Sequence, residues 1–394
     1  MTMPEQKKAV VPRLRFPEFR DAGPWEVKRL GEVFCERSER GGNGLELLSV
    51  TISDGVVRAA ELERKNNANA DLSNYKKVCP GDIVYNSMRM WQGASGVSWW
   101  HGVVSPAYTV VTPKESQNAV FWAYCFKLEH SIAEFVRFSQ GVTSDTWNLK
   151  YPAFSAIEMA FPAEQAEQQK IADCLSSLDE LIKLQAKQLE ALKAHKKGLM
   201  QQLFPREGET TPRLRFPEFR DAGPWEVKRL ETIVELAYGA ALPESHRNKG
   251  DVPVVGSNGI VGYHDKPLTK GPTIVIGRKG SAGEVTWVEE ACFPIDTTFF
   301  VQFRRSLDSP RFLYFLLLTL NLPELARAEG IPGLNRNDVY SRRVGVPSAA
   351  EQQKIADCLS SLDELIELQA KQLEALQTHK KGLMQQLFPQ EIDL

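Results

Sequence analysis

Residues Pro12 to Leu30 read PRLRFPEFRDAGPWEVKRL, and the same letters return at Pro212 to Leu230. A second block, Glu167 to Pro205, returns as Glu351 to Pro389 with changes only at Lys183/Glu367, Lys193/Gln377 and Ala194/Thr378. Between these copies lie two long segments that differ from each other. The chain therefore runs constant, variable, constant, and then the same again. A solenoid is excluded, because a repeat of about 190 residues is far longer than solenoid periods of roughly 20–50. Two identical frames around two unlike inserts point to one device that reads two different things.

The second block carries a heptad seam. Apolar residues fall at Ile171, Leu175, Leu178, Ile182, Leu189, Leu192, Leu199 and Leu203, with Gln185 and Lys196 filling two seam positions. The copy repeats it at Ile355, Leu359, Leu362, Ile366, Leu373, Leu376, Leu383 and Leu387. Leu181 and Leu184 widen the apolar stripe beyond a two-helix seam. Pro162 and Pro347 are placed as first-turn prolines, and Ser348 with Glu351 has capping-box spacing. Leu-Phe-Pro ends both helices, since proline blocks continuation. Helices of about 35–40 residues at 1.5 Å per residue make rods of roughly 50–60 Å. One rod cannot bury its seam alone. The expectation is antiparallel pairing of the two within the chain, about an approximate twofold axis, with the polar seam positions fixing register; pairing between separate chains is the alternative.

The two variable segments share an order of events but not a sequence. The first has strands and turns (LELLSVTISDGVV), then GDIVYNSMRMWQGASGVSWW, a strand entering a polar glycine-containing loop. A further strand (VVSPAYTVVTP) follows, then a helical stretch (AVFWAYCFKLEHSIAEFVRF) and the closing loop SQGVTSDTWNL. The second runs through VPVVGSNGIVGYHD, GPTIVIGRKGSAGEVTW, CFPIDTTFFVQF, the helical SPRFLYFLLLTLNLPELARA and the loop AEGIPGLNRNDV. Each reads as one α+β domain. The domains assign as 1–30 an N-terminal constant segment, 31–160 the first variable domain and 161–205 the central long helix. The repeated segment at 206–230 leads into the second variable domain, 231–346, and the C-terminal long helix, 347–394.

Corresponding loops differ in residue types able to read bases. Asn86, Ser87, Met88, Arg89, Trp91, Gln92 and Ser95 face Arg278, Lys279 and Ser281. Gln140, Thr143, Ser144, Asp145 and Trp147 stand opposite Asn335, Arg336 and Asn337. Arg and Lys suit guanine edges, and Asn and Gln suit adenine edges. Net charge is -2 over 394 residues. Segment 31–160 holds 12 basic and 14 acidic residues, and 231–346 holds 13 of each, so any DNA surface arises from local clustering.

Catalytic signatures are missing. Gly271–Gly280 (GPTIVIGRKG) is the nearest stretch to a Walker A loop and has the wrong spacing. No GxSxG, HExxH or strand-to-helix GxGxxG occurs. The six cysteines, none in a CxxC pair, suit reduced thiols, and the N-terminus has no apolar signal core. A soluble, cytoplasmic chain that binds no cofactor or metal of its own is expected.

These residues resemble the specificity subunit of type I restriction–modification systems. The resemblance rests on PEFRDAGPWEVKRL before each variable domain, on EQQKIADCLSSLDELI and KKGLMQQLF in each rod, and on GDIVYNSMRMWQGASGVS and VIGRKGSAG…DTTFF inside the domains. It implies two target-recognition domains held apart by an antiparallel coiled coil, each reading one half of a split double-stranded DNA sequence. It also implies two copies of a modification subunit that use S-adenosylmethionine to methylate adenine, and restriction subunits driven by ATP with Mg2+. The chain itself is then non-catalytic. A non-DNA scaffold with two unlike protein-binding domains, favoured by the near-neutral domain charge, remains the competing reading. An enzyme in its own right is disfavoured by the missing motifs.

On the specificity-subunit reading, the half-sites lie about one helical turn of DNA apart and rod length sets their spacer. Inserting a four-residue step within Gln185–Leu192 is expected to lengthen the unspecified gap in the methylated motif; an unchanged gap counts against the rod as a ruler.

Overall fold

The computed structural model describes residues 10–41, 44–62, 72–144, 146–304, 308–327 and 333–389. Asp145 and part of the loop AEGIPGLNRNDV lie outside them. The chain divides into two compact units. One comprises Met1–Leu184 with Leu373–Leu394, the other Gln185–Gln372. Among the described residues, no helix is long and apolar enough to cross a membrane.

In the first unit a four-stranded antiparallel sheet has the order Phe34–Glu36, Tyr108–Pro113, Ile83–Asn86, Ser95–Val97. A hairpin, Leu48–Thr51 with Gly55–Arg58, and a strand pair, Lys76–Val78 with Gly102–Val104, accompany it. Helices Ala119–Cys125 and Glu129–Phe138 cover the sheet's apolar face. The helical stretch is two helices, parted at residues 126–128. The second unit repeats the plan with strands Val234–Tyr238, Thr298–Phe303, Thr273–Gly277 and Val285–Val288. A hairpin of Val252–Gly256 with Gly259–His264 lies beside it. Its helices are Pro310–Thr319 and Leu322–Arg327. They part at Asn321, whose φ of 48° is the left-handed conformation that asparagine tolerates best among ordinary residues. Asn118 and Ser309 start the corresponding first helices by accepting the backbone N–H groups of Phe121 and Phe312.

Each variable segment is closed by main-chain bonds. The repeated EVKR strand Glu26–Arg29 pairs antiparallel with Glu158–Phe161, and its copy Glu226–Arg229 pairs with Arg343–Val346. One sequence thus accepts EMAF in one unit and RVGV in the other, because a ladder of N–H and C=O groups does not depend on side-chain identity. Both ends of each insert are fastened to the constant frame.

Both rods are helices of 39 residues, Gln165–Leu203 and Ala349–Leu387. In the second unit Lys196 pairs with Asp363, Gln185 with Gln369, and Leu203 and Leu199 pack among Ile355 and Leu359. As one rod's numbers rise the other's fall, so the pairing is antiparallel and within one chain. In the first unit Lys380 pairs with Asp179, and Leu387 and Leu383 pack among Ile171 and Leu175. The polar seam residues are therefore matched. Lys196 also lies 5.1 Å from the Phe315 ring centroid, as Lys380 does from Tyr124.

The seam closes unevenly. Ile171, Leu175, Leu189, Leu203, Ile355, Leu359 and Leu387 are buried. Leu178, Ile182, Leu192, Leu199, Leu362, Ile366, Leu373, Leu376 and Leu383 are half-buried. A two-helix seam covers each side chain from one direction only, and full burial comes where a globular core adds a third wall, with mid-rod Leu189 the exception.

Two capping expectations need correction. Pro162 and Pro347 precede the helices rather than occupying their first turns. Their carbonyls accept the side-chain N–H groups of Gln168 and Gln352. Ser348 Oγ accepts the Glu351 N–H at 3.4 Å, but the Glu351 carboxylate does not return to Ser348. It takes two bonds of 2.7 Å from the Arg215 guanidinium. Arg15 holds Glu167 in the same way in the first unit. The carboxylates are only 1% and 2% exposed, so removing the arginine strands a buried charge. Arg215→Leu is expected to cost about 3 kcal/mol, read as faster amide exchange over residues 351–360. Residues 167–176, braced by the untouched Arg15, should keep their protection; equal loss at both places would show that the two ion pairs are not local braces.

Candidate nucleic-acid interface

The loop between strands Ile83–Asn86 and Ser95–Val97 and the closing loop 139–149 come together in the first unit. The Leu149 N–H donates to the Ser87 carbonyl at 2.8 Å, and Trp91 meets Trp147 edge-on with ring centroids 5.4 Å apart. Both tryptophans are half-buried, and Trp91 Nε1 donates to the Met88 carbonyl. They clamp the two loops together by their own packing, at a worth of about 1 kcal/mol beyond area burial. Gln140 exchanges two backbone bonds with Asn148 to narrow the closing loop. Gln140, Thr143 and Ser144 then stand exposed beside Met88 and Arg89 of the other loop's exposed rim. Gln92 is half-buried and accepts from Arg89 at 3.3 Å, and Asn86 Oδ1 accepts the Met88 N–H.

Ser87 and Ser95 are withdrawn as base readers. They are 4% and 0% exposed, with Ser87 Oγ bonded to Thr109 Oγ1 at 2.8 Å. They flank the loop where it leaves and re-enters the sheet, Ser87 just past strand Ile83–Asn86 and Ser95 in a strand buried at every position.

In the second unit the loop after strand Thr273–Gly277 carries Arg278, Lys279 and Ser281. The Arg278 and Lys279 N–H groups both donate to the Thr297 carbonyl, at 2.8 and 3.1 Å. The Arg278 guanidinium donates to the Asp296 carbonyl at 2.8 Å and lies 5.2 Å from the Tyr238 ring. Arg336 lies 5.2 Å from the same ring. The Leu334 N–H donates to the Arg278 carbonyl at 2.9 Å, which joins this loop to the one bearing Asn335, Arg336 and Asn337. Lys279, Ser281, Asn335 and Asn337 are exposed. Asn335 also caps the helix Arg336–Ser341, its Oδ1 accepting the Asn337 N–H at 3.0 Å. Its side-chain oxygen is thereby engaged, leaving the amide N–H groups as donors.

Each unit therefore converges the two loops that sequence placed about 50 residues apart, by unlike means: an indole pair in one, two guanidiniums on a phenol ring in the other. Tyr238, 53% exposed at a strand end, was not singled out from sequence, and only its terminal position before a glycine marked it. Lys127 was also missed. Its Nζ donates to the carbonyls of Gly93, inside the reading loop, and Ile52, in the neighbouring hairpin turn. The signal was a lone lysine within the apolar run AVFWAYCFKLEHSIAEF. Burial, opposed by attraction to Asp54, brings this ammonium down to about 8 from 10.5. Its folded value lies below its unfolded one, so the unfolded chain binds more protons between those two pH values. Stability of the wild type relative to Lys127→Met should therefore rise as pH increases from about 8 towards 10. Parallel thermal melts measure this, and a flat difference would show that Lys127 is not buried as a cation.

Comparison with known proteins accords with this geometry. The family model for the type I restriction modification DNA specificity domain matches twice, over residues 23–194 and 223–378. The type I restriction enzyme MjaVIII specificity subunit of Methanocaldococcus jannaschii is 23% identical over 424 residues, covering 96% of this chain and 94% of that protein. The putative type I restriction enzyme MjaX specificity subunit of the same organism is 28% identical over 247 residues, 57% of each chain. Among solved structures, the type I restriction–modification S subunit from M. genitalium superposes with a TM-score of 0.67 at 18% identity, covering 97% of this chain and all of that one. A chain from a study of complex assembly and conformational transition of the type I system gives 0.55 at 16% identity, over 93% of this chain and 98% of its own.

Proposed function

The chain belongs to the type I restriction–modification DNA specificity family, and from that premise we propose how its residues carry out the task. It is a non-catalytic chain that reads a bipartite DNA target, one half-site per unit. One observation carries the reading at residue level: on identical frames, each unit converges two polar loops with a different set of side chains. In the first unit we assign DNA contact to Met88, Arg89, Gln92, Gln140, Thr143 and Ser144, with Asn86 at the loop's root and Trp91 and Trp147 as the clamp. In the second we assign it to Arg278, Lys279, Ser281, Asn335, Arg336 and Asn337. Guanidinium groups braced at the Tyr238 ring suit the two acceptors of a guanine edge.

The frame supports a reading of the partners. Leu181 and Leu184 are 46% and 65% exposed, and their copies Leu365 and Leu368 are 38% and 52% exposed. One apolar patch per unit, with the same two leucines and Lys183 exchanged for Glu367 between them, supports two copies of one modification subunit. Those subunits would supply S-adenosylmethionine, and restriction subunits would supply ATP and Mg2+ chemistry, with this chain holding no cofactor. A cytoplasmic location belongs to the same reading.

Sequencing methylated adenines in cells that express the chain with a modification subunit tests it. A split motif with a fixed gap is expected. In Arg278→Ala one half-site should become degenerate at a single position, at roughly ten- to hundredfold lower discrimination, while the other half is unchanged. Coupled changes in both halves would sink the one-unit, one-half-site assignment, and absence of methylation from an assembled complex would favour the protein-scaffold reading.

A further inference from the structure

We propose that the second unit reads DNA with a third element, the hairpin turn Ser257–Asn258, and that Asn258 contacts an adenine edge. This rests on the DNA-reading assignment above and extends it to a segment outside both loops.

The turn joins strands Val252–Gly256 and Gly259–His264. Ser257 Oγ donates to the Thr297 carbonyl at 2.7 Å, the same oxygen that takes the N–H groups of Arg278 and Lys279. One acceptor thus fixes the hairpin turn and the guanidinium loop to each other. The approach is tight: a Cβ on Gly277 would lie 2.9 Å from the Ser257 carbonyl oxygen, besides 2.2 Å from that of Ser281 in its own loop. Asn258, next in the turn, is exposed. Its neighbour is locked, so its amide is presented from a rigid base, and an amide offers the paired donor and acceptor that adenine N7 and N6 require.

The first unit makes the same juxtaposition from other residues. A Cβ on Gly96, next to the reading loop, would lie 2.7 Å from Gly55 Cα of the hairpin Leu48–Thr51/Gly55–Arg58. Lys127 Nζ ties the Ile52 carbonyl of that hairpin's turn to Gly93 of the loop. Two unrelated sets of bonds hold a hairpin turn against the reading loop. That is the outcome expected when the placement itself is used, since an incidental contact has no reason to be rebuilt with a new chemistry.

The test measures binding of the assembled complex to duplexes carrying the wild-type methylated motif and each single-base substitution in it. Asn258→Ala should lose discrimination at one position, a reduction of about ten- to hundredfold for the wild-type preference there. That position must lie in the half-site altered by Arg278→Ala and must differ from the one Arg278→Ala relaxes. Asn258→Gln, which keeps the amide on a longer arm, should bind DNA while shifting or weakening the same preference. An unchanged preference profile in Asn258→Ala overturns the proposal while leaving the two-loop reading intact. If Arg278→Ala also leaves both half-sites unchanged, the underlying assignment fails with it. A change confined to the other half-site, or spread over both, equally overturns it.

Discussion

A bidentate guanidinium–carboxylate pair holds each unit to its rod. Arg15 meets Glu167, and Arg215 meets Glu351, each through two bonds of 2.7 Å, with side chains between 1% and 9% exposed. The glutamates lie in the first turn of each long helix, where the helix dipole favours negative charge. The same arginines also donate to backbone carbonyls at Ala22 and Gly23, or Ala222 and Gly223. Each folds its repeated segment into a fixed loop before the EVKR strand begins. Glu167 hydrogen bonding holds the Arg15 guanidinium above its ordinary value, and Glu351 does so for Arg215. From this point the strand, the insert and the rod are positioned together.

The rods illustrate how little seam is needed when globular cores share the load. Phe204 packs on Trp225 and Phe312 with centroids 6.1 and 5.4 Å away, and Phe388 on Trp25 and Phe121 at 6.1 and 5.6 Å. Each buried aromatic of this kind is worth roughly 1.5–3 kcal/mol. Between those anchors the middle of the seam is half-buried apart from Leu189, and its polar matches, Lys196–Asp363 and Gln185–Gln369, select register more than they add stability.

Much of this was legible in the sequence. A 3.5-residue period over 39 residues admits few alternatives to a paired rod, and duplication within one chain named the partner. The order of strands and helices could be read because turn residues and alternation are local signals. The limits were non-local. Ser87 and Ser95 look like loop readers by composition, and only the sheet edge shows them facing inward. Tyr238 and Thr297 enter the surface through contacts between strands far apart in sequence, which no window of residues records. The helix splits at Lys127 and at Asn321 were missed because both lie inside strongly apolar runs whose period barely changes across the break.

The Leu14 N–H donates to the Gln386 carbonyl at 2.9 Å, and the Leu214 N–H donates to the Gln202 carbonyl at the same distance. In the second case the chain runs continuously from one partner to the other through residues 203–213. In the first, the two partners stand nearly a whole chain length apart in sequence, and the junction is nevertheless built with the same bond. Peptide continuity is therefore incidental to this joint: non-covalent contacts alone reproduce it. The joint's bonding therefore does not record whether a peptide link runs through it: the same contact is made in one unit with the link and in the other without it.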